Sequence, residues 1–194
     1  MNAHINDSHI GLVVEGKGDM GAVPLLMRRI LNECGVYADI VGRPVVTHGR
    51  GAMTAPGGIE GYVAVAAARP GCKLVFVIAD ADDDQSCVLG PNMLKRAKAI
   101  TSAAVVVVLA ERSFEDWIYA SCETLEIGLN EYKQNKRGAT VISSAVAKTG
   151  SKYVKPVWQP RLTSRLDISL AAGRSASFRR LVDKLVDTRE LFES

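Results

Sequence analysis

Apolar and polar positions along the chain alternate between two periods. Ile10 to Val14 is a short apolar run that stops at Glu15-Gly16, which predicts a first strand. From Met20 to Cys34 the apolar residues Val23, Leu26, Met27, Ile30 and Leu31 fall at helical spacing. Asp19 is placed to cap that helix and Gly35 to stop it. Pro24 removes a helix hydrogen bond, so it is tolerated only near the first turn. Val36 to Val46 predicts one or two short strands broken by Gly42 and Pro44, and residues 48–58 are dense enough in Gly and Pro to predict a loop.

The second half of the pattern is stronger. Ile59 to Arg69 predicts a helix ended by Pro70-Gly71. Lys73 to Ala79 is a nearly unbroken apolar run, as expected of a central strand covered on both faces. Pro91 to Ile100 predicts a basic helix, Ala103 to Leu109 another buried strand, and Ser113 caps a helix carrying Phe114, Trp117 and Ile118. Phe178 to Phe192 predicts an amphipathic closing helix. Strands alternating with helices predict an α/β fold: a mostly parallel, Rossmann-like sheet with helices on both faces.

Composition refines this picture in three places. With 194 residues and 47% hydrophobic content, one domain with a sizeable core is expected. Cys34, Cys72, Cys87 and Cys122 are widely spaced and only three histidines are present, which argues against a structural zinc site. The first residues, MNAHINDSH, lack a basic stretch followed by an apolar run, and no apolar stretch reaches membrane-spanning length, so no leader, no membrane partner and a cytoplasmic location are expected.

Net charge is only +3, but it is unevenly placed. Between Tyr132 and Leu166 lie Lys133, Lys136, Arg137, Lys148, Lys152, Lys155, Arg161 and Arg165, with no acidic residue. The chain therefore divides into an α/β part, residues 1–131, and a basic C-terminal extension, residues 132–194, packed on the same domain. The basic tract suits a phosphate backbone, with Tyr132, Tyr153 and Trp158 as stacking groups. A solvated arm is the alternative. Arg50, Lys95, Arg96 and Lys98 are candidates to extend the basic surface.

Two acidic motifs carry the candidate chemistry. Val14-Glu15-Gly16-Lys17-Gly18-Asp19 ends the first strand, and Asp80-Ala81-Asp82-Asp83-Asp84 ends the central one. Groups at the carboxyl ends of parallel strands meet in one crevice. Extended backbone would put Asp80 and Asp82 on one side and Ala81 on the other. Crowded carboxylates repel unless a cation lies between them, and hard oxygen ligands suit Mg²⁺ or Mn²⁺. Glu111, Glu115 and Asp116 follow the next strand, where Glu115 is either a further ligand or a helix N-terminal acid. Glu15 can equally be a surface acid beside a turn.

A competing pattern overlaps the first motif. Gly16-x-Gly18-x-x-Gly21 matches the dinucleotide fingerprint, with Asp39 at a suitable distance. Against it, Glu15 and Asp19 would repel a pyrophosphate there. Gly11 to Gly18 also approaches a P-loop, but Gly18 replaces the metal-binding hydroxyl.

Glu15-Gly16 after the first strand and Asp80-Ala81-Asp82 after a later one resemble a TOPRIM domain, the fold of type IA topoisomerases, bacterial primases and overcoming-lysogenization-defect nucleases. The order of VEGKGDMGAVPLLMRRIL, VIADADDD, LAERSFEDWIYA, Tyr153-Val154-Lys155-Pro156, Leu162-Thr163 and residues 175–179 resembles a family of small bacterial TOPRIM-like proteins over nearly the whole chain. Dense Asp83-Asp84 and the Gly21 and Pro24 positions depart from the minimal pattern. The resemblance implies a nuclease: Mg²⁺- or Mn²⁺-dependent hydrolysis of nucleic-acid phosphodiesters, DNA sooner than RNA. Asp80 and Asp82 would bind metal, Glu15 would be a ligand or general acid/base, and Glu115 would hold a second metal. Lys148, Lys152, Lys155, Arg161 and Arg165 would bind the backbone. It further implies defence against foreign DNA and a partner ATPase, and a homodimer is a separate expectation. A non-catalytic TOPRIM module that binds nucleotide or a partner ATPase is the alternative of another class.

Overall fold

A computed structural model of the chain describes residues 8–192. The reading of the N-terminal leader falls largely on residues 1–7, outside the described residues. Four strands, β1 (His9–Val14), β2 (Val41–Val46), β3 (Cys72–Asp80) and β4 (Ala104–Ala110), form one sheet in the order β2-β1-β3-β4. Every pairing is parallel, with Val13 opposite Val45 on one side and Val77 on the other, and Val77 opposite Val107. The expected parallel α/β architecture is what the chain adopts.

Side-chain alternation along β3 explains why its apolar run is continuous. Leu74, Phe76 and Ile78 join one core cluster, whereas Val75, Val77 and Ala79 join another on the opposite face. Each fully buried aliphatic or aromatic side chain of this kind contributes roughly 1.5–3 kcal/mol. Helix α1 (Asp19–Glu33) covers the first face with Val23, Leu26, Met27 and Ile30. Helices α3 (Gly58–Ala67) and α4 (Ser86–Lys98) cover the second with Ile59, Val63, Met93 and Ala97.

Several boundaries moved. Residues 48–58 contain a short helix, α2 (Arg50–Thr54), inside the expected loop. Helix α4 begins at Ser86, ahead of the expected Pro91, and carries the proline inside it without the hydrogen bond that its missing N–H would have made. Pro24 is likewise buried inside an unbroken α1. Gly35, at φ +85°, ends α1 in the left-handed conformation expected of it.

After β4, α5 (Phe114–Tyr119) starts in a capping box, with Ser113 and Asp116 bonding reciprocally. The basic tract is largely helical: α6 (Gly138–Lys148) and α7 (Lys155–Thr163) lie within it, followed by α8 (Ile168–Arg174) and α9 (Ala176–Thr188). Trp158, Leu162, Phe178, Leu181 and Leu185 share a core cluster with Leu12, Val14 and Leu26. The extension is therefore part of one core, not a solvated arm. Among the described residues, no helix is long and apolar enough to cross a membrane.

Candidate active site at the carboxyl edge of the sheet

With order β2-β1-β3-β4, the chain leaves β1 toward β2 and later returns past it to β3. The direction reverses between β1 and β3, so the crevice beyond their carboxyl ends is the topological switch point where ligands of open α/β sheets bind. Glu15 follows β1 and Asp80 ends β3, so the two motifs meet there.

Backbone donors fix both acids. Glu15 Oε2 accepts from the Asp80 N–H at 3.2 Å and Glu15 Oε1 from the Arg50 N–H at 3.1 Å. Asp80 Oδ1 accepts from the Phe114 N–H at 2.8 Å, at the start of α5. Asp19 Oδ2 accepts from the Gly16 N–H at 2.9 Å, while Gly18 takes the N-cap position assigned to Asp19 from sequence. Asp19 thus closes the Glu-Gly turn with its side chain and turns an acid toward the cluster.

Electrostatics show how closely these groups crowd. Burial pushes the Asp80 carboxyl up to about 8, reinforced by the negative charges of Asp19, Glu15 and Glu115, with Lys155 acting in opposition. Burial likewise raises Asp19 to about 6, against its bond from Gly16. The fourth acid, Glu115 on α5, is fully buried. Its Oε1 accepts from the Tyr153 hydroxyl at 3.0 Å and the Gln159 amide at 3.2 Å, and lies 3.4 Å from the Lys155 ammonium. Burial opposes the Lys155 charge, but Glu115, Asp80 and Asp19 outweigh it and hold its pKa above the ordinary value. Burial and the adjacent Glu115 carboxylate raise the Tyr153 phenol.

Asp82 behaves differently from the alternation argument. Strand β3 ends at Asp80, Ala81 is buried, and Asp82 is left-handed at φ +52°. Its exposed carboxylate pairs with Arg50 at 3.3 Å, and the same guanidinium holds Asp84 at 2.5 Å. Asp83 pairs with Arg137 at 2.9 Å. Arg50, placed on a phosphate surface by the sequence reading, instead pins the acidic loop. Arg96 is similarly engaged, with Glu60 at 2.7 Å and the carbonyls of Thr54 and Ala55.

The other expected contacts divide. Lys155 sits in the acidic cluster, and Lys148 and Lys152 are exposed. Arg161 lies over the Trp158 ring at 4.8 Å, and Arg165 bonds the Leu125 carbonyl and Glu126. The aromatic residues offered for base stacking are occupied internally. Trp158 is buried, Tyr153 bonds Glu115, and Tyr132 packs on Tyr119 with Arg174 over its ring. Asp116 accepts from the Gly138 N–H at 2.6 Å and so fastens α6 to α5. Sequence reading missed Asp19 as a cluster member and Tyr153 and Gln159 as partners of Glu115. Asp19 was visible three residues after the Gly turn, whereas Tyr153 and Gln159 carried no local signal.

The dinucleotide pattern fares poorly in this geometry. A side chain at Gly18 would collide with Gln159 Oε1 and come within 2.9 Å of Lys155 Cβ, and one at Gly21 would meet Pro160 at 3.0 Å. These glycines admit α7 where a pyrophosphate would have to lie. Asp39, the acid expected at the ribose, pairs with Arg28 at 2.7 Å.

A hard divalent cation suits the donor set. Among the described residues no three His, Cys, Asp or Glu side chains form a ready metal cage. Mg²⁺ is commonly held by one or two carboxylates, with waters and substrate phosphates completing its shell. Asp80 with Glu15 or Asp19 offers carboxylate donors of that type. Glu115 Oε2, buried without a hydrogen-bond partner, is a further oxygen whose charge calls for compensation. Comparison with protein-family models, curated proteins and solved structures returned no match.

Proposed function

We propose that this protein hydrolyses nucleic-acid phosphodiesters with Mg²⁺ or Mn²⁺, DNA sooner than RNA. The observation that carries the reading is the meeting of Glu15, Asp19 and Asp80 at the β1/β3 switch point, where Asp80 is pushed up to about 8. A carboxyl so crowded ionises readily only beside a cation.

When bound, the cation supplies charge neutralisation at the scissile phosphate and a more acidic water. Asp80 would hold it together with Glu15 or Asp19. Glu15, oriented by the N–H groups of Arg50 and Asp80, takes the proton of the attacking water. Oxygen of that water bonds to phosphorus, the bond to the leaving sugar oxygen breaks, and that oxygen takes a proton from solvent to leave as the hydroxyl, while Glu15 returns its proton to solvent. Lys155 meets a non-bridging phosphate oxygen, and Lys148 and Lys152 meet phosphates further along the strand without reading sequence. Asp82 can join only if its ion pair with Arg50 opens. Glu115 is the candidate for a second ion. The TOPRIM resemblance alone adds an ATPase partner and defence against foreign DNA.

One observation favours a second reading. The Lys155 ammonium already stands among Glu115, Asp80 and Asp19, so the cluster can be balanced without a divalent ion. A non-catalytic module that binds nucleotide or a partner ATPase would have such a site.

Calorimetric titration with Mn²⁺, with and without a DNA oligonucleotide, decides between them. Wild-type protein is expected to bind Mn²⁺ and cleave DNA, and Glu15→Gln and Asp80→Asn are expected to lose both while remaining folded. A folded wild type that binds no metal even with oligonucleotide present would overturn the nuclease reading.

A further inference from the structure

A second cleft lies away from the acidic cluster. It is a cleft of about 670 Å³ between α6 and the segment from Glu126 to Lys136. That volume falls within the roughly 300–1,000 Å³ of small-molecule sites. Its floor is apolar, with Ile127, Leu129, Val141 and Ala145, and the Tyr119 ring also lines it. Lys133 and Lys136 stand on one wall and Lys148 on the other.

Its net field is positive despite two carboxylates in the lining. Glu126 is paired with Arg165 at 3.1 Å and Glu131 with Lys133 at 3.4 Å. Among the described residues, no ion pair holds Lys136 or Lys148. Two ammonium groups therefore face a cleft whose acids are already compensated.

Its walls are also fixed in advance. Tyr119 Oη accepts from the Lys133 N–H at 2.9 Å, and Glu123 accepts from the Tyr132 N–H at 3.2 Å. Asp116 holds the first turn of α6 through Gly138. The segment is held in strained backbone. The non-glycine residues with positive φ among those described are His48, Asp82, Glu126 and Asn135. His48 and Asp82 flank the acidic cluster, and Glu126 and Asn135 bound the wall of this cleft. Strain of this kind persists where the surroundings over-determine it, and it gathers at binding sites.

We propose that this cleft binds one nucleotide unit, with its phosphate between Lys136 and Lys148 and its base on the floor of Ile127, Leu129 and Val141. The hydroxyls of Thr140 and Ser144 are the lining groups available to the polar edge of the base or sugar. An apolar floor with an uncompensated lysine on either wall selects an anion that carries a flat, weakly polar body. Inorganic phosphate satisfies only the cations, and an uncharged aromatic only the floor. The unit can belong to a free nucleotide or to a nucleic-acid strand, and the site uses no divalent ion.

Calorimetry in EDTA with AMP, inorganic phosphate and a short single-stranded oligonucleotide tests this. Wild type is expected to bind AMP or the oligonucleotide more tightly than phosphate. AMP matching the oligonucleotide identifies a free-nucleotide site, and oligonucleotide alone identifies a strand site. Lys136→Ala and Lys148→Ala are each expected to weaken binding on the order of tenfold. Ser144→Trp, an exposed position that fills the cleft, is expected to abolish binding while thermal unfolding stays unchanged. Asp80→Asn is expected to bind as wild type, which separates this site from the metal reading. Phosphate bound as tightly as AMP and the oligonucleotide, no binding of either nucleotide probe by wild type, or undiminished affinity in the folded Lys136→Ala, Lys148→Ala and Ser144→Trp variants, would overturn it.

Discussion

At the scale of single residues, the chemistry turns on which of several aspartates the fold buries. Asp80 and Asp82 look equivalent in sequence, yet Asp80 ends the strand half-buried, whereas Asp82 sits past it, exposed and paired with Arg50. Asp80 has a folded pKa of about 8, above its unfolded value. The folded state then binds more protons between those values, so stability contributed by protonated Asp80 is lost as pH rises through about 8. Asp80→Asn keeps an oxygen for the Phe114 N–H without acquiring charge. The variant is expected to gain stability relative to wild type as pH rises from 5 to 9, on the order of 2–4 kcal/mol at the upper end. Urea unfolding across that range checks it, and a constant difference would refute the assigned pKa. Saturating Mn²⁺ is expected to cancel the difference at high pH by stabilising wild type alone, about 2.7 kcal/mol at one hundred times its Kd.

At the scale of elements, α7 is what the local pattern could not announce. Its sequence, KPVWQPRLT, has one proline in the first turn, another inside the helix and a weak apolar stripe, yet it packs along α1 and carries Lys155 and Gln159 into the site. The missing side chain at Gly18 makes that approach possible. Gly18 has ordinary negative φ, so Gly18→Ala tests packing without backbone strain. The substitution is expected to cost roughly 1–3 kcal/mol by overpacking, read from chemical denaturation. It should also loosen Lys155 from Glu115. A stability within 0.5 kcal/mol of wild type, a margin usual for surface changes, would show that α7 is not held there. By contrast, the β3 run, the Gly35 stop and the Ser113 cap were readable because each depends on neighbours in sequence: period, backbone freedom and a short polar side chain.

At the scale of the whole molecule, the division at residues 131 and 132 separates compositions, not cores. Leu162, Phe178 and Leu181 are fully buried beside Leu12, Val14 and Leu26. Removing residues 132–194 would expose that face of the sheet, so the truncated chain is expected to show no cooperative unfolding transition by calorimetry. A truncated protein that melts cooperatively would restore the two-part view. On the proposed function, the outward lysines of the basic tract meet the nucleic acid. Neutralising Lys148 and Lys152 together is expected to lower the salt slope of DNA binding by about 2, whereas Arg165→Ala acts mainly on stability because it is spent on Leu125 and Glu126. By itself, the sequence determined the parallel α/β order, the strands covered on both faces and the two acidic strand ends, because these follow from short-range periodicity. Only the tertiary structure decided that Asp19 and Glu115 join Glu15 and Asp80, that Arg50 claims Asp82, and that Lys155 serves the site. Those outcomes depend on strand order and on helix packing between residues far apart in the chain, which no local pattern encodes.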